Sequence, residues 1–310
     1  ILKMNVFITG GTGNLGEEIS YGLRRLGYSV RALVRQIQAS SSQRLLQQEI
    51  ELCQGNLLEP ETYQHLIIDA DIIVHCAADY TNYSQVDNIA VDTFLAVCKS
   101  YPYKKRRLLY TSGIMCYAEQ TPTTKLLTEE DRTLTDGWVI RDRVRNEQKV
   151  LENPFIYGCV IRPAWVYGKT SRHFIQYFLK TLENPSTILV THPQISWSEI
   201  HIDDLVRFYQ LVCESDPDLI RSQIFNVSDH SQYTNMEIAR VYTQAMNWHG
   251  ELIEDHEEKE QSEQWKFCNR TILVDSSKAT KILGFKCKHK LMLDDVKILK
   301  QTCLARHQIL

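Results

Sequence analysis

The sequence predicts an α/β fold: a parallel, doubly wound sheet with helices on both faces and a small C-terminal α/β lobe. Three observations predict it. Short apolar runs alternate with segments of helical period through the first half of the chain. Strands alternating with helices imply right-handed βαβ crossovers and therefore a parallel sheet. A glycine-rich turn, Gly10-Gly11-Thr12-Gly13-Asn14-Leu15-Gly16, joins the first apolar run to the first helical one. Finally, the chain has 310 residues, 43% hydrophobic and 24% charged. That length suits one domain of about 200 residues with a smaller partner.

Each element has its own signal. Residues 4–9 read as a buried strand. Residues 14–26 read as a helix with Leu15, Ile19, Leu23 and Leu26 on one face, and Gly27 stops it. Residues 29–34, 51–53 and 71–76 follow as strands. A helix near 86–99, a strand at 107–111, a helix at 141–151 and a strand at 158–161 complete the first half. In the second half, 173–182 and 203–213 are helical, and 187–190 and 223–227 are extended. Thr234 caps a helix running to about residue 246, with Glu237 as its capping-box partner. Asp275 begins a short helix ending at Gly284, and the charged stretch 254–264 reads as surface. Residues 4–168 therefore form one domain and 169–310 mainly a second lobe, with about 199–228 returning to the first.

The turn carries chemistry because of its setting. It leaves a strand and opens a helix, which is where a glycine pattern acquires meaning. Gly10 allows a tight exit, Gly13 lets backbone approach a pyrophosphate, and Gly16 lets helix and sheet pack closely. Thr12, Asn14 and Leu15 complete the loop, and the helix N-terminus offers unpaired N–H groups to phosphate. The first domain is thus read as an NAD(P)-binding Rossmann fold. An acid at the end of the second strand is the usual mark of NAD. Here that segment is Val30-Arg31-Ala32-Leu33-Val34-Arg35, with no acid. Arg35 suits a 2′-phosphate, which favours NADP(H) with NAD(H) as second choice. A solvated arginine after a strand is the alternative.

Composition excludes other classes. The net charge is −3. The densest basic cluster, Lys104-Lys105-Arg106-Arg107, leads into an apolar strand and reads as its solvated entry, not a nucleic-acid patch. Nine Cys without CxxC pairing suggest free thiols in a reducing compartment, no zinc, and a cytoplasmic location. No apolar run is long enough to cross a membrane. Residues 1–3 precede Met4 and receive no role.

The segments resemble the extended short-chain dehydrogenase/reductase, or NAD-dependent epimerase/dehydratase, family over nearly the whole chain. Thr9 through Gly16 is similar to its TGxxGxxG motif. Gly55-Asn56-Leu57 resembles its G-D-L segment near the adenine, with Asn56 for Asp. Asp71 through Ala78 resembles its D-x-V-x-H-x-A-A strand, where Cys76, Ala77 and Ala78 let the cofactor pass. Tyr110-Thr111-Ser112-Gly113, then Tyr117-Ala118, resembles T-S-S…Y-G. Arg162-Pro163-Ala164-Trp165-Val166-Tyr167-Gly168 resembles R-P-x-x-V-Y-G, which places Pro163 beside the nicotinamide. His201-Ile202-Asp203-Asp204-Leu205 and Asp275-Ser276-Ser277-Lys278-Ala279 resemble two further family segments.

The resemblance breaks at the catalytic pair. Family enzymes use Ser or Thr with Tyr-x-x-x-Lys, the Tyr exchanging the substrate proton. Aligned through Glu147, the Tyr position holds Val139 and the Lys position Arg143, and no Tyr stands between Tyr117 and Tyr157. A literal Tyr101…Lys105 match precedes the fifth strand, at the amino end of the sheet, and reads as coincidence. Ser112 is the candidate for a substrate hydrogen bond or, equally, a strand-end serine bonding backbone. Tyr117 is a candidate acid, with Tyr80 and Tyr83 as further ones, and Arg143 a candidate for positioning an anion. His201, Asp203 and His75 read as hydrogen-bonding residues. The resemblance implies an oxidoreductase or epimerase/dehydratase-like enzyme acting on a carbonyl, alcohol or sugar-type substrate in an interlobe cleft, with a non-standard proton donor. A catalytically inactive NADP(H)-binding sensor or interaction protein is the alternative. A homodimer through the helices flanking the fourth and fifth strands is also implied.

Overall fold

A computed structural model describes residues 4–118, 125–135, 137, 140–169, 171, 175–255 and 268–308. Trp138, Val139, His173 and residues 256–264 of the charged stretch lie outside the described residues. The strands are β1 (Asn5–Thr9), β2 (Ser29–Val34), β3 (Glu51–Gln54), β4 (Ile72–His75), β5 (Arg106–Thr111), β6 (Ile156–Pro163), β7 (Trp165–Tyr167), β8 (Thr187–Thr191), β9 (Glu199–His201), β10 (Gln223–Val227) and β11 (Glu251–Asp255). The helices are α1 (Asn14–Arg25), α2 (Ser40–Leu46), α3 (Gln64–Asp69), α4 (Tyr83–Ser100), α5 (Ile140–Glu152), α6 (Gln176–Glu183), α7 (Ile202–Glu214), α8 (Pro217–Ile220), α9 (Asn235–Ala245), α10 (Ser277–Leu283) and α11 (Val296–Arg306).

The main sheet has seven strands in the order β10-β6-β5-β4-β1-β2-β3, and every pair is parallel. β1 lies near its centre, so both its faces are buried and its middle, Val6-Phe7-Ile8, is apolar throughout. Val6 and Ile8 pack on the α1 and α7 side, while Phe7 packs on the α3, α4 and α5 side. Ile19 and Leu23 of α1 are buried against the sheet. Leu26, expected on the same face, is 45% exposed. The helix ends at Arg25, and Gly27 at φ +89° turns the chain away.

Between β9 and the lobe the chain makes a round trip: α7 covers the sheet, and β10 adds its edge strand beside β6. The lobe has its own core, with Phe178, Ile188, Val190, Met236, Ile238 and Tyr242 buried together. Its strands β8 and β11 pair in parallel, so Glu254 and Asp255, assigned to a surface segment by their charge, end a strand instead. The capping box at α9 forms, with Thr234 N–H donating to Glu237 at 2.8 Å.

Arg106 departs from its expected place. Rather than standing in solvent at the strand entry, it is fully buried. Its guanidinium donates to the carbonyls of Ile67 (2.8 Å), Ile68 (2.6 Å) and Lys104 (2.7 Å). These include carbonyls of the last turn of α3, where a cation is favoured; that of Ile67 also accepts from Ala70 N–H at 3.2 Å. All nine cysteines are free. Among the described residues, no helix is long and apolar enough to cross a membrane.

Where β9 meets β10's following loop, two buried carboxylates approach each other. Ser231 Oγ lies 2.9 Å from Glu199 and 2.5 Å from Asp229. Tyr167 donates to the other oxygen of Asp229 at 3.0 Å. One serine proton cannot serve both carboxylates, so a proton held on one of them completes the set. Burial and the Asp229 charge push Glu199 well above the usual carboxylate range. A folded-state pKa that is raised contributes stability below the unfolded value and loses it as pH rises through the folded one. The Glu199→Gln variant should therefore gain melting temperature over wild type at pH 8 and gain less at pH 5, at roughly 2 °C per kcal/mol recovered. An equal gain at both pH values would contradict a protonated Glu199.

Candidate active site

The phosphate turn is shaped by close approach. Gly10 sits at φ +75°, and a Cβ there would lie 2.6 Å from the Ala77 nitrogen. A Cβ on Gly16 would lie 2.2 Å from the Gly10 carbonyl oxygen. Gly13 differs: its Cβ position meets only the Gly10 oxygen, at 3.2 Å, and otherwise faces open space. Gly13 is also the N-cap of α1, with no side chain capping it. The start of the helix thus points its N–H groups into a cradle that a side chain would fill.

This cradle forms one end of a cleft of about 760 Å³. Gly10, Thr12, Gly13, Asn14, Leu15, Gly16, Arg35, Asn56, Leu57, Cys76, Ala77 and Ala78 all line it. Asp79, Tyr80, Asn82 and Val86, which no motif singled out as cofactor contacts, line it too. Arg35 is exposed at the end of β2. Its charge is one of the influences that hold Asp79 below the usual carboxylate range, after the hydrogen bonds from Thr81. Asn56 uses its side chain to close its own turn, accepting from Leu58 N–H at 3.2 Å and donating to Glu59 at 3.0 Å. Thr111 and Pro163 are not on this wall. Thr111 Oγ1 lies 2.7 Å from the Tyr209 hydroxyl and 3.2 Å from Cys76 Sγ. Pro163 is buried at the end of β6. Burial pushes the Cys76 thiol up to about 12, so it is no nucleophile at neutral pH.

Beneath the cleft runs a chain of buried polar groups. Thr9 Oγ1 lies 2.6 Å from His75 Nδ1, and His75 Nε2 lies 3.0 Å from Asp87 Oδ1. Asp87 Oδ2 accepts from the Tyr110 hydroxyl at 2.7 Å and from Asn146 at 2.6 Å. Tyr110 and Tyr83 hydroxyls are 3.3 Å apart, and Arg143 Nε donates to Tyr83 at 2.8 Å. Burial alone would raise the Asp87 carboxyl, but the bonds from His75, Tyr110 and Asn146 hold it below its ordinary range. Asp87 and Asn146 have no motif. Their only trace in the sequence is position: Asp87 falls on the buried face of α4 with Tyr83, Ala90, Val91, Phe94 and Cys98.

The catalytic candidates divide. Ser112 and Arg143 come together at the carboxyl end of β5. Ser112 is 8% exposed, and among the described residues its Oγ has no hydrogen-bond partner. Next to it, a Cβ on Gly113 would lie 3.3 Å from Arg143 Nη1. The Arg143 guanidinium also covers the Tyr83 ring, 4.7 Å from its centroid, and Tyr80 stacks on Tyr83 at 6.1 Å. Tyr117 does not join them. It is fully buried, donates to Asn226 at 2.7 Å and lies under the Arg162 guanidinium at 4.8 Å. Burial pushes its hydroxyl well up. Arg162 pairs with Glu147 at 2.5 Å. Lys105 of the literal Tyr101…Lys105 match covers the Tyr157 ring instead.

His201 caps α7 by accepting from Asp203 N–H at 3.1 Å. With His289 these residues bring ligand-type atoms within 4.8 Å of one another. Lys169 already sits 2.5 Å from Asp203, which supplies the positive charge there.

A family model described as RmlD substrate binding domain matches residues 4–293. The uncharacterized protein YLL056C of Saccharomyces cerevisiae is 22% identical over 248 residues, 79% of this chain and 81% of that protein. A 4-hydroxy-2-methyl-3-oxo-4-farnesyl-3,4-dihydroquinoline-1-oxide ketoreductase of Stigmatella aurantiaca is 24% identical over 225 residues, 69% of this chain and 66% of that protein. The structure of a dTDP-glucose 4,6-dehydratase of Bacillus anthracis, in complex with NAD, matches with a TM-score of 0.79 at 16% identity, over 98% of each chain. That likeness is one of fold.

The buried network makes a direct prediction. Asp87→Ala leaves donors from His75, Tyr110 and Asn146 unpaired and should cost about 3–5 kcal/mol in denaturant unfolding. Asp92→Ala on the same helix removes an exposed ion pair to Lys149 and should cost no more than about 1 kcal/mol. Comparable losses would show that Asp87 holds nothing together.

Proposed function

This chain belongs to the RmlD substrate binding domain family, and from that premise we propose that it is an NADP(H)-dependent oxidoreductase acting on a carbonyl or alcohol carbon of a small molecule. The observation that carries the proposal is the cleft, which gathers the glycine turn, Arg35 and the small residues Ala77 and Ala78 on one wall. The ketoreductase among the relatives supports a reductive reaction.

In this reading the first turn of α1 holds the pyrophosphate through its N–H groups, and Arg35 holds the 2′-phosphate. Asn56 and Leu57 flank the adenine, and Thr111 and Pro163 stand behind the nicotinamide end. The bound dinucleotide supplies or accepts the hydride. Ser112 Oγ–H donates to the substrate oxygen, which explains a buried hydroxyl with no partner of its own. Arg143 keeps a fixed positive charge beside that oxygen and gives up no proton. Water or a residue other than the usual tyrosine completes proton transfer.

Two measurements test this. Cofactor absorbance followed with a panel of ketones, oxo acids and sugars should reveal NADPH oxidation; tight NADPH binding without turnover on any of them would leave a sensor role instead. Arg35→Ala should weaken NADPH by roughly 10- to 100-fold, the value of one charge-assisted contact, and leave NADH nearly unchanged. Equal losses would remove Arg35 from the phosphate site.

A further inference from the structure

The four arginines buried among the described residues are Arg106, Arg143, Arg162 and Arg270. Three of them have oxygen partners at a terminal nitrogen. Arg106 bonds carbonyls through Nη1 and Nη2. Arg162 bonds Glu147, and Arg270 bonds the carbonyls of Tyr117 and Met115. Arg143 is the exception. Among the described residues its one side-chain hydrogen bond is from Nε to Tyr83, and no carboxylate pairs with it.

An arginine stays charged in proteins, so it cannot relieve burial by losing its proton. Burial would pull its pKa down, but the oxygens of Tyr83, Tyr80 and Tyr110 hold it well above its ordinary value. A charge taken out of water without a counter-ion is costly. Such a cost persists where a ligand removes it.

The geometry is specific about the ligand. The Nε bond and the face of Tyr83 fix the plane of the guanidinium. That leaves Nη1 and Nη2 as an end-on fork, the arrangement that matches a planar carboxylate with two parallel hydrogen bonds. Nη1 lies against Gly113, where a Cβ would come within 3.3 Å of it. The neighbouring residue, Ser112, carries the orphaned hydroxyl. One unpaired positive charge suits one negative charge. A diphosphate would bring two.

We propose that Arg143 seats a carboxylate of the substrate while Ser112 binds its carbonyl oxygen, so that the molecule reduced is a short-spaced oxo acid. This rests on the oxidoreductase reading above, and it adds the substrate class. In the reductive direction, hydride goes from the dinucleotide to the carbonyl carbon. The C=O π pair becomes the alkoxide, which takes a proton from water, and the carboxylate is unchanged throughout.

Acetoacetate and methyl acetoacetate separate the two ideas in the unaltered protein with saturating NADPH. The acid should be reduced with a kcat/KM at least ~10-fold above the ester, the difference lying in KM, as expected for a charge-assisted contact. Arg143→Gln should lower the acid by roughly 10- to 100-fold more than it lowers the ester. Equal rates on acid and ester, or equal losses in the variant, would overturn the carboxylate seat while leaving the oxidoreductase reading intact.

A binding measurement does not depend on turnover. Calorimetry of the NADPH-saturated protein should detect butyrate and not butyramide. Gly113→Ser, which places a side chain against Nη1, should abolish butyrate binding even if Arg143→Gln fails to fold. Butyrate and butyramide binding alike, or butyrate binding unaffected by Gly113→Ser, would reject the proposal. If butyrate binds as expected and no carbonyl compound is reduced, the seat stands and the oxidoreductase reading fails.

Discussion

The buried carboxylate of Asp87 is the constraint on which the site depends. It lies on α4, yet its oxygens bind His75 at the end of β4, Tyr110 on β5 and Asn146 on α5. Through His75 it reaches Thr9, the residue before the phosphate turn. Through Tyr110 and Tyr83 it reaches Arg143. Thus one ionised group is tied both to the strand end before the phosphate turn and to Arg143. Hydrogen bonds to a charge are stronger than neutral ones and cost more to break. In the low dielectric beneath the sheet, each member also polarises the next. A parallel sheet positions its strand ends only through packing, and small shifts there would move the catalytic groups. The Asp87 network supplies directional contacts where apolar packing supplies none.

The sequence made the fold legible because the signals are local and repeated. Apolar runs such as Val6-Phe7-Ile8 have no polar alternative, and Gly10, Gly13 and Gly16 stand where backbone must approach backbone. Short elements escaped for the opposite reason. α2 buries only Ser42 and Leu45, so its period is weak. β11 carries acidic residues at both ends and gains its identity only by pairing with β8. Arg106 looked like a surface charge because sequence cannot show the carbonyls of α3 that surround it. The site was legible where it is made of backbone, at the turn, and where small residues line it, at Ala77 and Ala78. It was not legible in the Asp87 network, whose members come from separate elements and meet only when the sheet is assembled.

Arg143 joins these two halves of the site. In the family pattern its position belongs to a lysine, which can approach a hydroxyl as a compact charge and whose pKa shifts readily. An arginine is wider, planar and permanently charged. Here its Nε is committed to Tyr83, so only the end of the fork is left for chemistry. The same bond bears on the proton. Tyr83 is buried, and burial pushes its hydroxyl well up, with Asp87 acting in the same direction and Arg143 opposing. Tyr83 is therefore held as a neutral phenol whose oxygen is occupied by a guanidinium. Its role is to orient Arg143.

In the proposed reaction there are two ways of stabilising a developing alkoxide. A tyrosine with a lowered pKa transfers a proton as charge appears and needs that pKa near the working pH. A preorganised cation with a serine hydroxyl answers the same charge without moving a proton, and gains its effect from being fixed before the reaction begins. The described residues contain the second set of parts. Ser112 has no competing partner, Arg143 has no counter-ion, and the side chain that holds Arg143 in place is itself tied to Asp87. The cost of such a site falls on the empty protein, as an unpaired hydroxyl and an unpaired charge out of water. The carboxylate network beneath it supplies the stability that lets both be kept.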